Sequence, residues 1–329
     1  MATAASRTFT HLFLFRAAEG LGETFYFPAS TALMSDYHGR ETRSRALGLH
    51  QTSVYVGTIA GGFFAGLIAE RYGWRLSFVV FGALGILLGI VLTGSLRDAP
   101  RGAADPEPAS RDPHPAIRAP RPATRIRRPA SRAPLLCLFG AFMCANFVAV
   151  ALLSWMPKFL FDRFHMSLST AGLTATLFVQ LASLAGAPAG GWLADWWRQR
   201  SPSGRVAVQA IGMFAGAPFV AICGLTSSVG TLVVALTCWG FFKGLYDANI
   251  FASAFDLVPA EARGRTAGLM NMVGWLAGGG SAPVVIGFVA QRASLSAAMA
   301  LTSVVYVAAG GLLVAAALLA RVNPLPQEA

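Results

Sequence analysis

Long apolar stretches recur along the chain, each about as long as a helix needs to cross a lipid bilayer. A bilayer core about 30 Å thick requires about 20 mostly apolar residues in helical form, whereas a membrane β-barrel would show alternating segments of about ten residues. The pattern therefore predicts an all-α membrane protein with nine transmembrane helices. The predicted spans are 12–34, 46–69, 76–96, 135–157, 171–194, 206–226, 229–252, 266–290 and 296–320.

Residues 97–134 interrupt this pattern. The stretch holds nine of the 18 prolines and nine arginines, with few apolar residues, which is typical of an extended linker. It predicts a partial N-terminal transmembrane bundle over 1–96 with three spans, a basic linker over 97–134, and a six-helix C-terminal bundle over 135–329.

Basic residues are distributed unevenly between the loops on the two sides of the predicted membrane. The loops on the side of the linker hold 18 lysines and arginines, against five on the other side. Because cytoplasmic loops carry the excess of basic residues, we expect the linker and the C-terminus to be cytoplasmic, in a bacterial-type inner membrane.

The composition supports a membrane protein and excludes other classes. The chain is 55% hydrophobic and 12% charged, against about 25% charged residues in soluble domains. This excludes a disordered protein and an ordinary soluble enzyme. The net charge of +11 would favour nucleic-acid binding in a soluble protein, but membrane orientation explains it better here, so we expect no nucleic-acid partner.

The sequence lacks the residue patterns of enzymes and metal sites. It contains no G-x-S-x-G, H-E-x-x-H or P-loop motif. The four cysteines lie in apolar segments without a C-x-x-C pair or a histidine partner. We therefore expect no catalytic residues, no metal and no cofactor. The oligomeric state stays open.

The first two predicted spans resemble the seventh and eighth, which indicates an internal repeat. Chance similarity between helices rich in glycine and alanine is the alternative, but the charged loop repeats in register. If the repeat is real, two homologous halves flank the linker, and the first half lacks three spans ahead of Met1. The matching runs are Glu19-Gly20-Leu21 with Glu23 against Lys243-Gly244-Leu245 with Asp247, and Glu41-x-Arg43-x-Arg45 against Glu261-x-Arg263-x-Arg265.

These residues resemble the major facilitator superfamily. Arg16-x-x-Glu19-Gly20-x-Gly22-Glu23 is similar to the motif of its fourth helix, and Gly191-Trp192-Leu193-Ala194-Asp195 with the arginines that follow is similar to its loop motif between helices eight and nine. Gly22-Glu23-x-x-x-Phe27-Pro28-Ala29 and Tyr72-Gly73-Trp74-Arg75 look most like the anion:cation symporter branch. The resemblance implies helices four to twelve of a two-bundle transporter, with the first three helices missing.

The first predicted span carries three ionisable residues, Arg16, Glu19 and Glu23. Their spacing places them on one face of a helix, and charges inside a span usually face a cavity or a partner. We expect Arg16 to bind a substrate carboxylate and Glu23 to take up and release a proton, because a carboxyl group at low dielectric holds its proton more tightly. The alternative is that Arg16 and Glu19 only neutralise each other.

The seventh predicted span carries Lys243 and Asp247, four residues apart. We expect this pair to face a cavity and contact substrate; the alternative is an ion pair that makes burial tolerable. Asn249 either binds substrate or bridges two helices. Tyr55 and Trp275 occupy matching positions of the repeat and either stack on a substrate or pack against lipid.

Charged residues at the membrane boundary form a second group of candidates. Asp195, with Arg198 and Arg200 after it, is expected to form a latch between helices that breaks when the bundles move; the alternative is a solvated loop. The same gating role is expected of Glu41, Arg43, Arg45, Glu261, Arg263 and Arg265.

Together these features predict a secondary transporter that works by alternating access, with two helix bundles rocking about a midplane site. The branch resemblance implies a small organic anion, such as a sugar acid or carboxylate, and a proton as partners beside the lipid bilayer. Three alternatives stay open. They are an exporter of drug-like or lysolipid cargo, a truncated membrane protein that does not transport, and an integral membrane enzyme.

Overall fold

The computed structural model describes residues 1–37, 43–97, 133–201, 203–258 and 262–322. Within these ranges it does not describe the side chains of 21–25, 27–28, 31–32, 35–36, 43–49, 51, 263 and 321–322. In this part of the chain the regular elements are all helical. They are a short 3₁₀ helix Ala2–Ala5, α1 Phe9–Tyr37, α2 Arg43–Tyr72, α3 Trp74–Ser95, α4 Ala133–Phe164, α5 Leu168–Arg198, α6 Gly204–Leu225, α7 Val229–Asp247, α8 Ile250–Phe255, α9 Arg263–Met272, a π-helical turn Val273–Gly279, α10 Ala282–Arg292 and α11 Leu295–Val322.

Eight helical segments of the described residues are long and apolar enough to cross a membrane. This confirms the predicted all-helical membrane architecture, which follows because a helix satisfies its own backbone hydrogen bonds in lipid. The ninth predicted span, 12–34, is helical within α1, but it is not among the eight, and three charged residues lower its hydropathy. The count of nine stays a prediction. The eight segments are Thr52–Tyr72, Trp74–Ser95, Ala133–Phe164, Leu168–Arg198, Gly204–Leu225, Val229–Phe255, Gly264–Arg292 and Leu295–Ala320.

The chain divides into two compact units, Met1–Ile126 and Arg127–Ala329. The boundary falls inside the predicted linker, of which 98–132 lie outside the described residues. Almost none of the residues in the two N-terminal spans are buried, whereas 28 to 50% are buried in the C-terminal spans. The protein core therefore lies in the C-terminal unit.

In the N-terminal unit, α2 and α3 form a tight helical hairpin. Gly73 joins the two helices with a φ of +87°, a conformation that glycine adopts without strain. The Ser77 hydroxyl donates to the carbonyl of Ala65 across the hairpin at 3.0 Å, and Arg75 donates to the carbonyl of Ser6 at 3.1 Å. These bonds tie the N-terminal segment and α2 to the start of α3.

The C-terminal unit is built around one large hydrophobic core shared by its helices. Its largest fully buried side chains include Trp239 and Tyr246 of α7 and Tyr306 of α11. Trp239 and Tyr306 meet close to Gly216 of α6, where a Cβ would lie 2.9 Å from the Tyr306 ring and 3.7 Å from the Trp239 ring. A small residue there lets aromatic side chains fill the interior between three helices.

Close backbone contact joins α5 to α7. A Cβ placed on Gly186 would lie 2.1 Å from the carbonyl oxygen of Phe241, and one on Gly240 would lie 2.5 Å from that of Val179. The Ser183 hydroxyl donates to the carbonyl of Gly240 at 2.9 Å. Small residues at such positions allow membrane helices to approach closely, so these glycines fix α7 against α5.

Candidate functional site

The Lys243–Asp247 ion pair lies at the end of α7, inside a transmembrane segment. The Lys243 ammonium donates to the Asp247 carboxylate one helical turn away, and the two side chains are only 16% and 33% exposed. The helix ends at Asp247, and α8 resumes at Ile250 within the same apolar segment. Interrupted helices inside membrane segments are places where substrate and ion sites are formed.

Buried polar atoms lie on α7 within two turns of this pair. The Trp239 Nε1–H group and the Tyr246 hydroxyl are both buried, and the Tyr246 hydroxyl has no hydrogen-bond partner among the described residues. Gln180 of α5 is also buried, with an unpartnered side-chain oxygen. Buried polar groups normally bind protein or ordered water, so Tyr246 and Gln180 provide unused hydrogen-bonding capacity inside the C-terminal unit.

Asn249 stands at the interruption between α7 and α8. It is buried, and its side-chain amide donates to the carbonyl of Gly190 at 3.0 Å and to that of Leu245 at 2.9 Å. The first of these bonds crosses to α5. This bridge holds the interrupted segment against α5, and a substrate-binding role for Asn249 stays a prediction.

The charged face of α1 contains an ion pair. Arg16 donates to Glu19 at 2.8 Å, with both side chains about half exposed, and its guanidinium lies 5.8 Å from the ring centroid of Phe78 on α3. The mutual neutralisation expected as the alternative is therefore present. Glu23 lies in α1, but its side chain is outside the described residues.

Next to this charged face, α1 and α2 share a polar contact that the sequence analysis missed. Tyr26 Oη and His50 Nε2 are 3.0 Å apart. Tyr26 lies three residues after Glu23 and seven after Glu19, and this spacing indicates that the three residues share one face of the helix. Tyr55 lies farther along α2 and is half-buried.

Trp275 lies in the π-helical turn between α9 and α10 and is 58% exposed. The turn packs on α4, because a Cβ on Gly274 would lie 2.3 Å from the Phe142 ring and one on Gly278 would lie 2.3 Å from the Met143 carbonyl oxygen. π-Helical turns inside helices occur often at functional sites. The sequence predicted Trp275 as a site residue but not the wider turn that carries it.

Arg205 connects three segments at the boundary where α5 ends and α6 begins. Its guanidinium donates to Asp195 at 3.2 Å and to Asp256, after α8, at 2.6 Å. The Arg205 side chain is only 12% exposed. Gln209, one turn along α6, donates to Ser253 at 2.6 Å. The expected latch residue Asp195 is thus part of a network that also includes Asp256, 51 residues from Arg205 in sequence.

The remaining gating candidates are arranged differently. Arg200 lies over the Trp196 ring at 3.8 Å from its centroid, and Arg198 and Arg265 are exposed. Glu41 and Glu261, and the side chains of Arg43, Arg45 and Arg263, lie outside the described residues, so their gating role stays a prediction.

Comparison with known proteins agrees with this architecture. The family model of the Major Facilitator Superfamily matches residues 1–279 and 164–329. A bacterial homologue of the human lysosomal transporter Spinster, solved in an inward-facing and occupied conformation, has the same fold. Its TM-score is 0.70 at 20% identity, with 98% of this chain and 78% of that chain covered.

Curated relatives extend the comparison. The probable anion transporter 4 of Oryza sativa subsp. japonica chloroplasts is 27% identical over 90% of this chain and 51% of its own length. The hexuronate transporter of Bacillus subtilis (strain 168) is 23% identical over 96% of this chain and 74% of its own length. The chain thus spans about half the length of the chloroplast relatives that it matches. The expectation that it is not an enzyme agrees with these relatives, and the matched family model shows that the chain belongs to the Major Facilitator Superfamily.

Proposed function

We propose that the protein carries a small organic anion, a sugar acid or a carboxylate, across the membrane by proton-coupled secondary transport. The observation that carries this proposal is the Lys243–Asp247 pair, a cation and an anion kept inside an apolar segment where the helix is interrupted. A charged side chain at mid-membrane costs about 3 kcal/mol or more. A cation retained at such a cost is suited to receive an anionic substrate.

The substrate class is supported by the names of relatives. Besides the hexuronate transporter, they include probable galactarate/D-glucarate transporters of Bacillus subtilis and Escherichia coli, which are 24% and 23% identical. These substrates share carboxylates and several hydroxyl groups. In this proposal Lys243 binds a substrate carboxylate, while Tyr246 and Gln180 offer hydrogen bonds to hydroxyl groups.

Proton coupling is assigned to Glu23, and its test is direct. The full chain is reconstituted into liposomes, and accumulation of labelled galacturonate is measured with and without a pH gradient. In Glu23→Gln, gradient-driven accumulation is expected to fall at least tenfold, because glutamine cannot carry the proton. Exchange of labelled for unlabelled substrate is expected to remain. Glu70→Gln, at the exposed end of α2, is the control and should behave as the wild type.

Two results would contradict this assignment at different levels. Gradient-driven accumulation by Glu23→Gln at the wild-type level would remove the proton role of Glu23. Absence of any sugar-acid exchange by folded wild-type protein would contradict anion transport itself. It would favour the alternative that this chain alone does not transport.

The Arg205 network is assigned to gating in an alternating-access cycle. Arg205→Gln leaves Asp195 and Asp256 close together without their shared cation. We expect this to lower the stability of the purified protein by about 1.5–3 kcal/mol, since hydrogen bonds to charged groups contribute about that amount. The thermal midpoint should fall by several degrees. Arg265→Gln, which removes an exposed arginine, should change stability by less than about 0.5 kcal/mol. Equal effects of the two variants would argue against a specific network.

A further inference from the structure

Asn249 occupies the break between α7 and α8, two residues after Asp247. It is only 2% exposed, and its amide nitrogen donates to the carbonyl oxygens of Leu245 at 2.9 Å and Gly190 at 3.0 Å. An amide nitrogen has two N–H donors, so both are bonded inside the protein. Because both partners are acceptors, the nitrogen of the amide must face them, and it has no donor left for a substrate.

The bond to Leu245 replaces a backbone hydrogen bond that the break removes. In a continuous helix the backbone N–H group of Asn249 would donate to the Leu245 carbonyl, four residues earlier. Here it donates to the carbonyl of Tyr246 at 3.0 Å, and the side-chain amide supplies the donor that Leu245 lacks. The last carbonyls of a helix have no partners within it. This bond therefore completes the final turn of α7, which carries Asp247.

The bond to Gly190 attaches the break to α5. A Cβ on Gly190 would lie 2.5 Å from the Cα atom of Leu245, so the two backbones are in close contact at this level. This contact brings the Gly190 carbonyl within reach of the Asn249 amide. Since α5 continues to Arg198 without a break in its helix, the bond holds the end of α7 on a regular, packed element.

Side-chain hydrogen bonds also hold α8, on the other side of the break. Ser253 accepts from Gln209 at 2.6 Å, and Asp256, just after α8, accepts from Arg205 at 2.6 Å. Asn249, Ser253 and Asp256 follow one another at intervals of four and three residues, the spacing of one helical face. Because both donors belong to α6, the segment after the break is bound to α6, while Asn249 binds the break itself to α5.

We propose that Asn249 is a positioning residue for the Lys243–Asp247 pair. It keeps the last turn of α7 closed and seated on α5, so that the Asp247 carboxylate stays beside the Lys243 ammonium. Without the two amide bonds this turn would fray, and the carboxylate would move away from the cation that binds the substrate. The inference rests on the proposed function, because it assigns Asn249 to the site where Lys243 receives the anion.

The test replaces Asn249 by leucine, which has a similar size and no hydrogen-bond donor. In the full chain reconstituted into liposomes, Asn249→Leu should raise the KM for exchange of labelled galacturonate about tenfold, because a small displacement of a site residue is costly. A structural defect alone would reduce the amount of active protein, and thus the maximal rate, without changing KM.

A second variant keeps one of the two bonds. The hydroxyl of Asn249→Ser can donate to the carbonyl four residues earlier, that of Leu245, but does not reach Gly190, so KM should rise only about threefold. If Asn249→Leu does not fold, this smaller rise decides the test.

Amide hydrogen exchange provides a measurement that needs no transport. In the purified protein in detergent, peptides covering 244–255 should exchange at least about threefold faster in Asn249→Leu than in the wild type, because the turn opens locally more often.

Asn146 of α4 provides the matched control. Its amide also donates to the carbonyl four residues earlier, that of Phe142, at 2.9 Å, but α4 continues through both residues. The Phe142 carbonyl therefore keeps its backbone partner when the side-chain donor is removed. Asn146→Leu is the same substitution without a break in the helix, and it should leave KM and the hydrogen exchange of α4 within about twofold of the wild type.

Three outcomes would overturn the proposal. A wild-type KM in Asn249→Leu would show that the pair needs no support from Asn249. A raised KM with unchanged hydrogen exchange over 244–255 would assign Asn249 to direct contact with the substrate. An equal rise in KM in Asn146→Leu would reduce the effect to general damage.

Failure of the proposed function is a separate result. If the folded wild type exchanges no sugar acid, anion transport is contradicted, and hydrogen exchange alone decides the role of Asn249. Faster exchange over 244–255 in Asn249→Leu would then still support its role in closing the last turn of α7, and unchanged exchange would overturn that role.

Discussion

Neutralising either member of the Lys243–Asp247 pair is expected to reduce sugar-acid exchange in proteoliposomes by about a hundredfold. Lys243→Gln removes the cation that is proposed to receive the substrate carboxylate and leaves Asp247 unpaired. Asp247→Asn leaves Lys243 without its carboxylate. An unpaired charge inside a span costs about 3 kcal/mol, and each 1.4 kcal/mol corresponds to about a factor of ten. Initial rates of exchange with labelled galacturonate provide the measurement.

The double variant separates a substrate-binding pair from a structural one. If the pair only makes burial of charge tolerable, Lys243→Gln with Asp247→Asn should restore exchange, since two neutral side chains can hydrogen-bond without a charge to compensate. If Lys243 binds the substrate, the double variant should stay as inactive as the single ones. Restored exchange would therefore contradict the proposed binding role of this pair.

A second pair of the same chemistry provides the control. Lys158 donates to Asp162 at 2.7 Å, also one turn apart, at the end of α4, and both side chains are about half exposed. Exposed pairs contribute about 0.2–1 kcal/mol, so Lys158→Gln and Asp162→Asn should leave exchange within about twofold. A hundredfold loss there would show that the assay reports general damage.

The helical architecture was predictable because lipid leaves the backbone few choices. The length of the apolar stretches alone predicted the eight membrane segments found among the described residues. The ion pair of α7 was also predictable, because residues four apart on a helix are neighbours. For Asn249 the sequence left two roles open. Only the position of α5 beside it, set by tertiary packing, shows that its amide bonds to Gly190.

Other features depend on distant contacts and were not predicted. Asp256 joins Arg205 across 51 residues, and the contact exists only because α6 and α8 meet at one boundary. The interruption after Asp247 and the π-helical turn at Val273–Gly279 lie inside continuous apolar runs, where hydropathy shows no break. The turn packs on α4 through Gly274 and Gly278, a contact between elements far apart in sequence.

The close contact between α5 and α7 predicts that glycine-to-alanine substitutions at two nearby positions of α5 change the stability of the protein in opposite directions. Gly186→Ala would place a Cβ 2.1 Å from the carbonyl oxygen of Phe241, so the two helices must separate. We expect this to destabilise the protein by about 3 kcal/mol, the upper part of the usual range for overpacking.

Gly191→Ala is the matched substitution, five residues along the same helix. No atom lies within 4 Å of the Cβ that it would add. Alanine lowers the entropy lost on helix formation, so this variant should be more stable by about 0.5–1 kcal/mol. Thermal unfolding midpoints in one detergent should therefore move down for Gly186→Ala and up for Gly191→Ala. The glycine contacts hold α7, and with it Lys243, against α5. If the unfolding midpoints of both variants moved in the same direction, the close packing that positions Lys243 would be contradicted.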